Sequence, residues 1–157
     1  MPGCLRYACA LLAVFVLAGC EGLFTGSRES VQPLAQAEDG SFAAVRLTLD
    51  PQMNPMAFNL KGSTVASLPE SGRWNSYRAS LLLDGAPIAT GSFNVNNRGD
   101  KDTAEGGSFA TTMMIVSVPQ AGEYELSIQV AKPKEITIES PQLEIRRNVE
   151  PATAPRG

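Results

Sequence analysis

The segment EYELSIQVA, residues 123–131, constrains the fold of this chain most strongly. Its apolar side chains, Tyr124, Leu126, Ile128 and Val130, alternate with polar ones. Successive side chains of a β-strand point to opposite faces of a sheet, so a period of two is typical of a strand with one buried face. The segment therefore predicts a half-buried strand.

Similar short apolar runs recur from residue 41 to residue 148, and turn-rich breaks such as DPQMNP and PQAG separate them. Turn signals at roughly 8- to 12-residue spacing are typical of sandwiches and barrels. We therefore predict an all-β fold: a single antiparallel β-sandwich, either Ig-like or jelly-roll, with about seven to nine strands.

Three local features refine this prediction. Asp84-Gly85 between apolar runs indicates a hairpin, and Pro87 close behind it predicts a turn longer than two residues. The run SFATTMMIVSV predicts a strand buried on both faces. Ser140-Pro141 predicts a break between two strands, KEITIES and QLEIRRN.

The first 20 residues have the organisation of an export signal. Arg6 precedes the uncharged apolar run YACALLAVFVLA, and the run ends in small residues. This order is typical of a secretory signal peptide, and the run is shorter than the ~20 residues that a transmembrane helix needs.

Leu17, Ala18, Gly19 and Cys20 end this signal. The four residues resemble the lipobox of bacterial lipoproteins. The resemblance implies that Leu17, Ala18 and Gly19 are recognised for cleavage, and that Cys20 receives a lipid and becomes the mature N-terminus. The alternative is an ordinary signal peptide in which the cysteine is incidental.

The residues after Cys20 bear on the membrane to which such a protein is delivered. In the enterobacterial members of that family, an aspartate after the cysteine retains the protein in the inner membrane. Glu21 and Gly22 stand here instead. The resemblance thus implies a lipid anchor in the outer membrane on its periplasmic face, with the inner membrane as the alternative.

These features divide the chain into four segments. We expect a signal peptide over 1–19, the lipidated cysteine and a flexible tether over 20–40, the sandwich over 41–148, and a disordered tail over 149–157. Cys4 and Cys9 lie in the removed segment, so we expect no disulfide in the mature chain.

The residues that are missing exclude several kinds of function. The chain has no histidine, which removes catalytic triads and His-ligated zinc sites. Arg146-Arg147 is its only adjacent basic pair, so the sequence has no footprint for a nucleic acid. We expect neither an enzyme nor a cofactor.

Trp74, Tyr77 and Arg73 form the candidate ligand-binding group. Aromatic rings at loop–strand junctions stack on sugars and anchor protein interfaces. The alternative, which we favour from the sequence, is that Trp74 plugs one end of the sandwich.

Asp100, Asp102 and Glu105 offer oxygen ligands suited to calcium, but their spacing departs from an EF-hand loop. A solvated hairpin loop is the favoured alternative. Arg98-Gly99-Asp100 matches an integrin-binding tripeptide, which we attribute to chance.

Four methionines are a candidate for soft-metal binding, but we expect them to fill the core. Adjacent residues on a regular strand point to opposite faces, so Met113 and Met114 are not expected to share one ion. The four are Met53, Met56, Met113 and Met114.

Together these features predict a non-catalytic, lipid-anchored envelope lipoprotein that faces the periplasm and binds another envelope protein. The alternative is a glycan- or peptidoglycan-binding module, suggested by Trp74 and Tyr77.

Overall fold

A computed structural model describes residues 25–65, 70, 72–97 and 106–150. Those residues form eight β-strands, and a short 3-10 turn, Pro51–Met53, follows the second. The strands are β1 Ser27–Pro33, β2 Phe42–Leu49, β3 Met56–Thr64, β4 Trp74–Leu83, β5 Ala86–Asn96, β6 Gly107–Val116, β7 Gly122–Val130 and β8 Ile138–Arg147. In this part of the chain, no helix is long and apolar enough to span a membrane.

The strands form two four-stranded antiparallel sheets. Sheet A has the order β1-β8-β3-β6, and sheet B has the order β2-β7-β4-β5. The first strand pairs with the last, the second with the seventh, the third with the sixth and the fourth with the fifth. This nesting is that of one long antiparallel ribbon rolled into two layers, which is a jelly roll. The predicted β-sandwich is confirmed, and the strand order selects the jelly roll over the Ig-like alternative.

The core lies between the sheets and is built from alternating positions of both. In β7, Tyr124, Leu126 and Ile128 are buried while Glu123 and Glu125 are exposed, as the period of two predicts. Facing side chains from β3, β4 and β8 complete the central layer, where several are fully buried: Phe58, Leu60, Leu81 and Leu143.

The sandwich begins earlier than the predicted boundary at residue 41. Ser27–Pro33 pairs with β8, and Leu34 is buried. The prediction of a flexible tether is therefore wrong for residues 25–40. Because β1 is an edge strand held by backbone hydrogen bonds, most of its side chains face water, and its sequence lacks the apolar alternation of an inner strand.

The hairpin predicted at Asp84-Gly85 is confirmed, but the prediction that its turn is longer than two residues is wrong. Asp84 and Gly85 form a two-residue turn, both with positive φ, and Leu83 pairs directly with Ala86. Pro87 does not lengthen the turn because it lies in the edge strand β5, at a shift in register.

Two strand predictions are also wrong. One is the break predicted at Ser140-Pro141, and the other is the burial of SFATTMMIVSV on both faces. The β8 strand is continuous, because a register shift near Ser140 accommodates the proline. Strand β6 is not buried on both faces, since Ile115 is 53% exposed. A register shift in its pairing with β3 makes Met113 an extra residue, so both Met113 and Met114 are buried.

The two ends of the sandwich differ in what they carry. We call the end where β1 begins and β8 ends the entry end. At this end, the Asn148 N–H donates to the carbonyl of Met53 in the turn after β2. The far end holds the connections that precede β4 and follow β7, because Tyr77 pairs with Val130. Trp74, the first residue of β4, therefore lies at the far end.

Candidate ligand-binding surface

Trp74 lies on the outer face of sheet B, and 42% of its surface is exposed. The Nζ atom of Lys132, in the β7–β8 connection, stands 3.9 Å from the centroid of the indole ring. A cation at this distance is attracted by the electron-rich face of the ring. The alternative that Trp74 plugs the end of the sandwich is therefore wrong, and the exposed Arg73 directly precedes it.

Tyr77 does not join Trp74 at the surface. It is 1% exposed and its ring stacks on Phe93, with centroids 5.3 Å apart. Burial raises the pKa of its hydroxyl, although a hydrogen bond with Asn75 opposes the rise. Residues an odd number of positions apart on a strand face opposite sides. The predicted grouping of Tyr77 with Trp74 as surface aromatics is thus corrected.

Asn75 organises the far end, although it was not among the residues predicted to be functional. Its side-chain amide donates to the carbonyl of Ile136 at 3.0 Å and to the hydroxyl of Tyr77 at 2.9 Å. Its oxygen accepts the backbone N–H groups of Glu135 at 2.8 Å and Ile136 at 3.0 Å. The signal was an asparagine at an inward position of an alternating strand, where a buried amide needs partners.

Further polar contacts hold the loops around Trp74. Lys132 donates to the carboxylate of Glu135 at 2.9 Å, and this hydrogen bond is the leading cause that lowers the pKa of Glu135. The carboxylate of Glu70 accepts from the backbone N–H and the hydroxyl of Thr137, both at 2.8 Å. Glu135 of the same connection therefore positions the cation beside the indole, and Glu70 joins this connection to the one before β4.

Beyond Trp74, the outer face of sheet B carries hydroxyl and amide side chains. In the half of this face near Trp74, Arg78 is the only charged residue on the described strands, and it has no hydrogen bond or ion pair with any described residue. We name this surface the Trp74 face; it comprises Trp74, Ser76, Arg78 and Ser80 of β4, Thr90, Ser92, Asn94 and Asn96 of β5, and Ser127 and Gln129 of β7.

The same sheet changes character toward the entry end. Glu123 and Glu125 of β7 and Asp84 of the β4–β5 turn line an open depression of about 320 Å³ there, together with Arg46. The carboxylates of this outer face thus gather near the entry end, whereas its half near Trp74 carries an arginine.

A second polar cluster lies on the outer side of sheet A. The Glu144 carboxylate is 1% exposed; it accepts from Arg28 at 3.0 Å and from Asn59 at 3.2 Å, and Arg146 and Lys61 approach it at 3.5 Å and 3.8 Å. Burial raises the pKa of Glu144, but these hydrogen bonds and charges outweigh burial and lower it.

Arg146 in turn donates to the carbonyls of Thr25 and Gly26 at 3.0 Å and 2.6 Å. It thereby joins the start of the described chain to β8. We interpret the Glu144 cluster as structural, because its buried carboxylate and guanidinium already bond within the protein.

The four methionines that were candidates for soft-metal binding belong to the core. Met113, Met114 and Met56 are buried in the hydrophobic core, and Met53 packs against it, which confirms core filling. Among the described residues, no group of three or more His, Cys, Asp or Glu side chains is arranged to hold a metal ion.

Several predictions lie outside the described residues. They are the lipidation and cleavage residues Leu17, Ala18, Gly19 and Cys20, the calcium candidates Asp100, Asp102 and Glu105, and the tripeptide from Arg98 to Asp100.

No protein-family model matches the chain, and no curated protein matches it. Among solved structures, dimeric latent PorU from Porphyromonas gingivalis is similar at a TM-score of 0.35 and 11% identity, with 83% of this chain and 14% of PorU covered. The tripod (BppUct-A-L) from the baseplate of bacteriophage Tuc2009 is similar at a TM-score of 0.33 and 14% identity, covering 94% of this chain and 79% of that chain. This chain therefore spans about one-seventh of PorU, and likenesses this distant carry no argument about function.

Proposed function

We propose that this chain is a non-catalytic, lipid-anchored protein of the bacterial cell envelope, and that its jelly roll binds an envelope glycan at the Trp74 face. The observation that carries the proposal is the exposed indole of Trp74 beside a row of hydroxyl and amide side chains. A sugar ring presents apolar C–H groups to an aromatic face and hydroxyls to polar neighbours, so this combination suits it.

The edges of the sheets support a glycan ahead of the protein partner first expected from the sequence. A peptide that adds a strand needs a regular exposed edge. Each edge strand here is interrupted: β1 between Arg28 and Ser30, β2 between Phe42 and Val45, and β6 at Met113. The fourth edge strand, β5, contains Pro87 and a register shift. Such irregularities hinder strand addition, leaving the faces as the better binding surfaces.

The position of the site also suits an anchored protein. Thr25 lies at the entry end, only five residues after Cys20, whereas Trp74 lies at the far end. The ten residues of β8 span about 30 Å between these ends. A lipid on Cys20 would thus hold the entry end near the membrane and leave Trp74 facing away from it.

Fluorescence titration tests the binding function directly, because Trp74 is the single tryptophan of the chain. Titration with peptidoglycan fragments and envelope polysaccharides should shift or quench the emission. Trp74→Ala should weaken binding, measured by calorimetry, by at least about tenfold, as expected for an aromatic anchor.

Ile115→Ala is the matched control, because Ile115 is also an exposed large apolar residue but lies on the other sheet. It should leave affinity unchanged. If none of these glycans alters the emission and Trp74→Ala binds as the native protein does, the glycan-binding function is refuted.

Membrane attachment has a separate test. Mass spectrometry of the mature protein should show an acylated N-terminal Cys20. Each buried acyl CH₂ contributes about 0.8 kcal/mol to membrane binding, so two or more chains hold the protein firmly. Cys20→Ser should leave the membrane fraction. A Cys20→Ser protein that stays fully membrane-bound would exclude the lipid anchor.

A further inference from the structure

The Trp74 face is long and narrow. From Trp74 to Ser80 it extends six residues along β4, or about 20 Å, and its three strands β7, β4 and β5 give it a width of about 10 Å. Small-molecule sites are usually enclosed pockets. Two depressions of the described surface are open to solvent, and neither is lined by Trp74. This geometry suits an extended polymer lying along the strands.

The polar side chains of the face can donate and accept at many points along its length. Ser76 and Asn94 stand on paired strands and already share a hydrogen bond of 2.7 Å. Gln129 and Ser127 lie on the third strand of the face, where the Gln129 amide donates to the Ser127 hydroxyl at 3.3 Å. A repeating chain of hydroxyl groups can form similar bonds at successive positions along these strands.

The charge of the face indicates the sign of the ligand. Arg78 lies between Ser92 of β5 and Gln129 of β7, so its nearest neighbours across the strands are neutral. The carboxylates on the strands of this outer face, Glu123 and Glu125, lie toward the entry end, and Glu135 near Trp74 is paired with Lys132. A guanidinium in these surroundings is free to form a bidentate pair with a carboxylate or phosphate.

We propose that the ligand of the Trp74 face is an anionic glycan chain, which lies along β4 with one ring on Trp74 and an acidic group paired with Arg78. This inference rests on the glycan-binding function proposed above and specifies its ligand. Lys132 beside the indole does not add to this preference, because its ammonium group is already paired with Glu135 at 2.9 Å, so Arg78 carries the charge of the face.

The test compares three probes on the full-length, detergent-solubilised protein. The first is peptidoglycan strands freed of stem peptides, whose muramic acid units carry a carboxylate. The second is alginate, an acidic chain of a different source, and the third is chitohexaose, a neutral chain of N-acetylglucosamine. Affinities for the native protein, Arg78→Gln and Arg46→Gln are measured by Trp74 fluorescence.

Arg46→Gln is the matched control, because Arg46 lies on the same sheet but among the carboxylates. We expect the native protein to prefer at least one acidic chain to chitohexaose. Arg78→Gln should lower the affinity for that acidic chain by about tenfold, since it removes a charged hydrogen bond. It should leave the affinity for chitohexaose unchanged. Arg46→Gln should change neither affinity.

Tighter binding of the peptidoglycan strands than of alginate would identify the wall as the source, and the reverse would identify a uronic-acid polymer. Binding of chitohexaose that equals the acidic chains, or an equal effect of Arg78→Gln on all probes, would overturn the anionic ligand. The glycan-binding function would survive that result if Trp74→Ala still abolished binding. If no probe binds, both proposals fail.

Discussion

Replacing Asn75 tests the physical account of the far end most directly. Asn75→Ala removes four hydrogen bonds and leaves the backbone N–H and carbonyl of the buried Ile136 without partners. Each unsatisfied buried group costs about 1–3 kcal/mol. Partial access of water to the loosened loop reduces the sum, so we expect a loss of about 3 kcal/mol in the free energy of unfolding.

This loss should lower the midpoint of thermal unfolding by about 10 °C for a domain of this size. Circular dichroism of a soluble chain that starts at residue 21 measures the midpoint. Because Asn75 holds the connection that carries Lys132, the emission of Trp74 should also change in the folded variant. Asn96→Ala is the control, since Asn96 is an exposed asparagine of the same sheet and should change stability by less than about 0.5 kcal/mol.

Asn75→Leu separates the two physical causes of the loss. Leucine has the branched shape of asparagine and a somewhat larger volume, so it leaves no cavity but supplies no hydrogen bonds. If the bonds determine stability, Asn75→Leu should be at least as unstable as Asn75→Ala. A leucine variant that unfolds at the native temperature would refute the reasoning, because the loss in alanine would then come from the cavity alone.

Two further perturbations address the sheets. The folded-state pKa of Glu144 is lowered from 4.5, so its ionised form stabilises the fold above pH 4.5 and this contribution is lost as the pH falls through the folded-state pKa. Glu144→Gln should therefore lower stability at pH 7 by about 2 kcal/mol and flatten the acid dependence in urea unfolding at pH 3–7; an unchanged acid slope would contradict this role. A Cβ atom at Gly91 would collide with the carbonyl oxygen of Met113, where β5 approaches β6, whereas one at Gly122 would meet no atom within 4 Å. Gly91→Ala should cost about 2 kcal/mol in urea unfolding and Gly122→Ala much less, and equal effects would mean that the two strands are not closely packed at Gly91.

Particular residues show how far sequence reasoning reached. The alternation in β7 identified its buried face because one side of that strand packs on the core and the other meets water. It failed for β1, whose backbone pairs with β8 while most of its side chains stay exposed. Such a strand has no buried face, so its sequence shows no apolar alternation. It failed again at Met113, because an extra residue in the strand reverses the facing of its neighbours.

For the candidate site too, the sequence predicted some features and the tertiary structure decided others. The sequence placed Trp74 at a loop–strand junction, and its spacing of three residues from Tyr77 on one strand implies opposite faces. Whether Trp74 is buried depends on the loops around it, whose positions are set by Asn75 contacts across about 60 residues of chain.

By itself, the sequence determined the fold class and a resemblance to a lipobox, because side-chain periodicity and signal peptides are local patterns. The tertiary structure alone decided the strand order, the start of the sandwich and the surface shared by Trp74 and Arg78. These depend on the pairing of β4 with β5 and β7, and contacts between distant segments leave little trace in local composition.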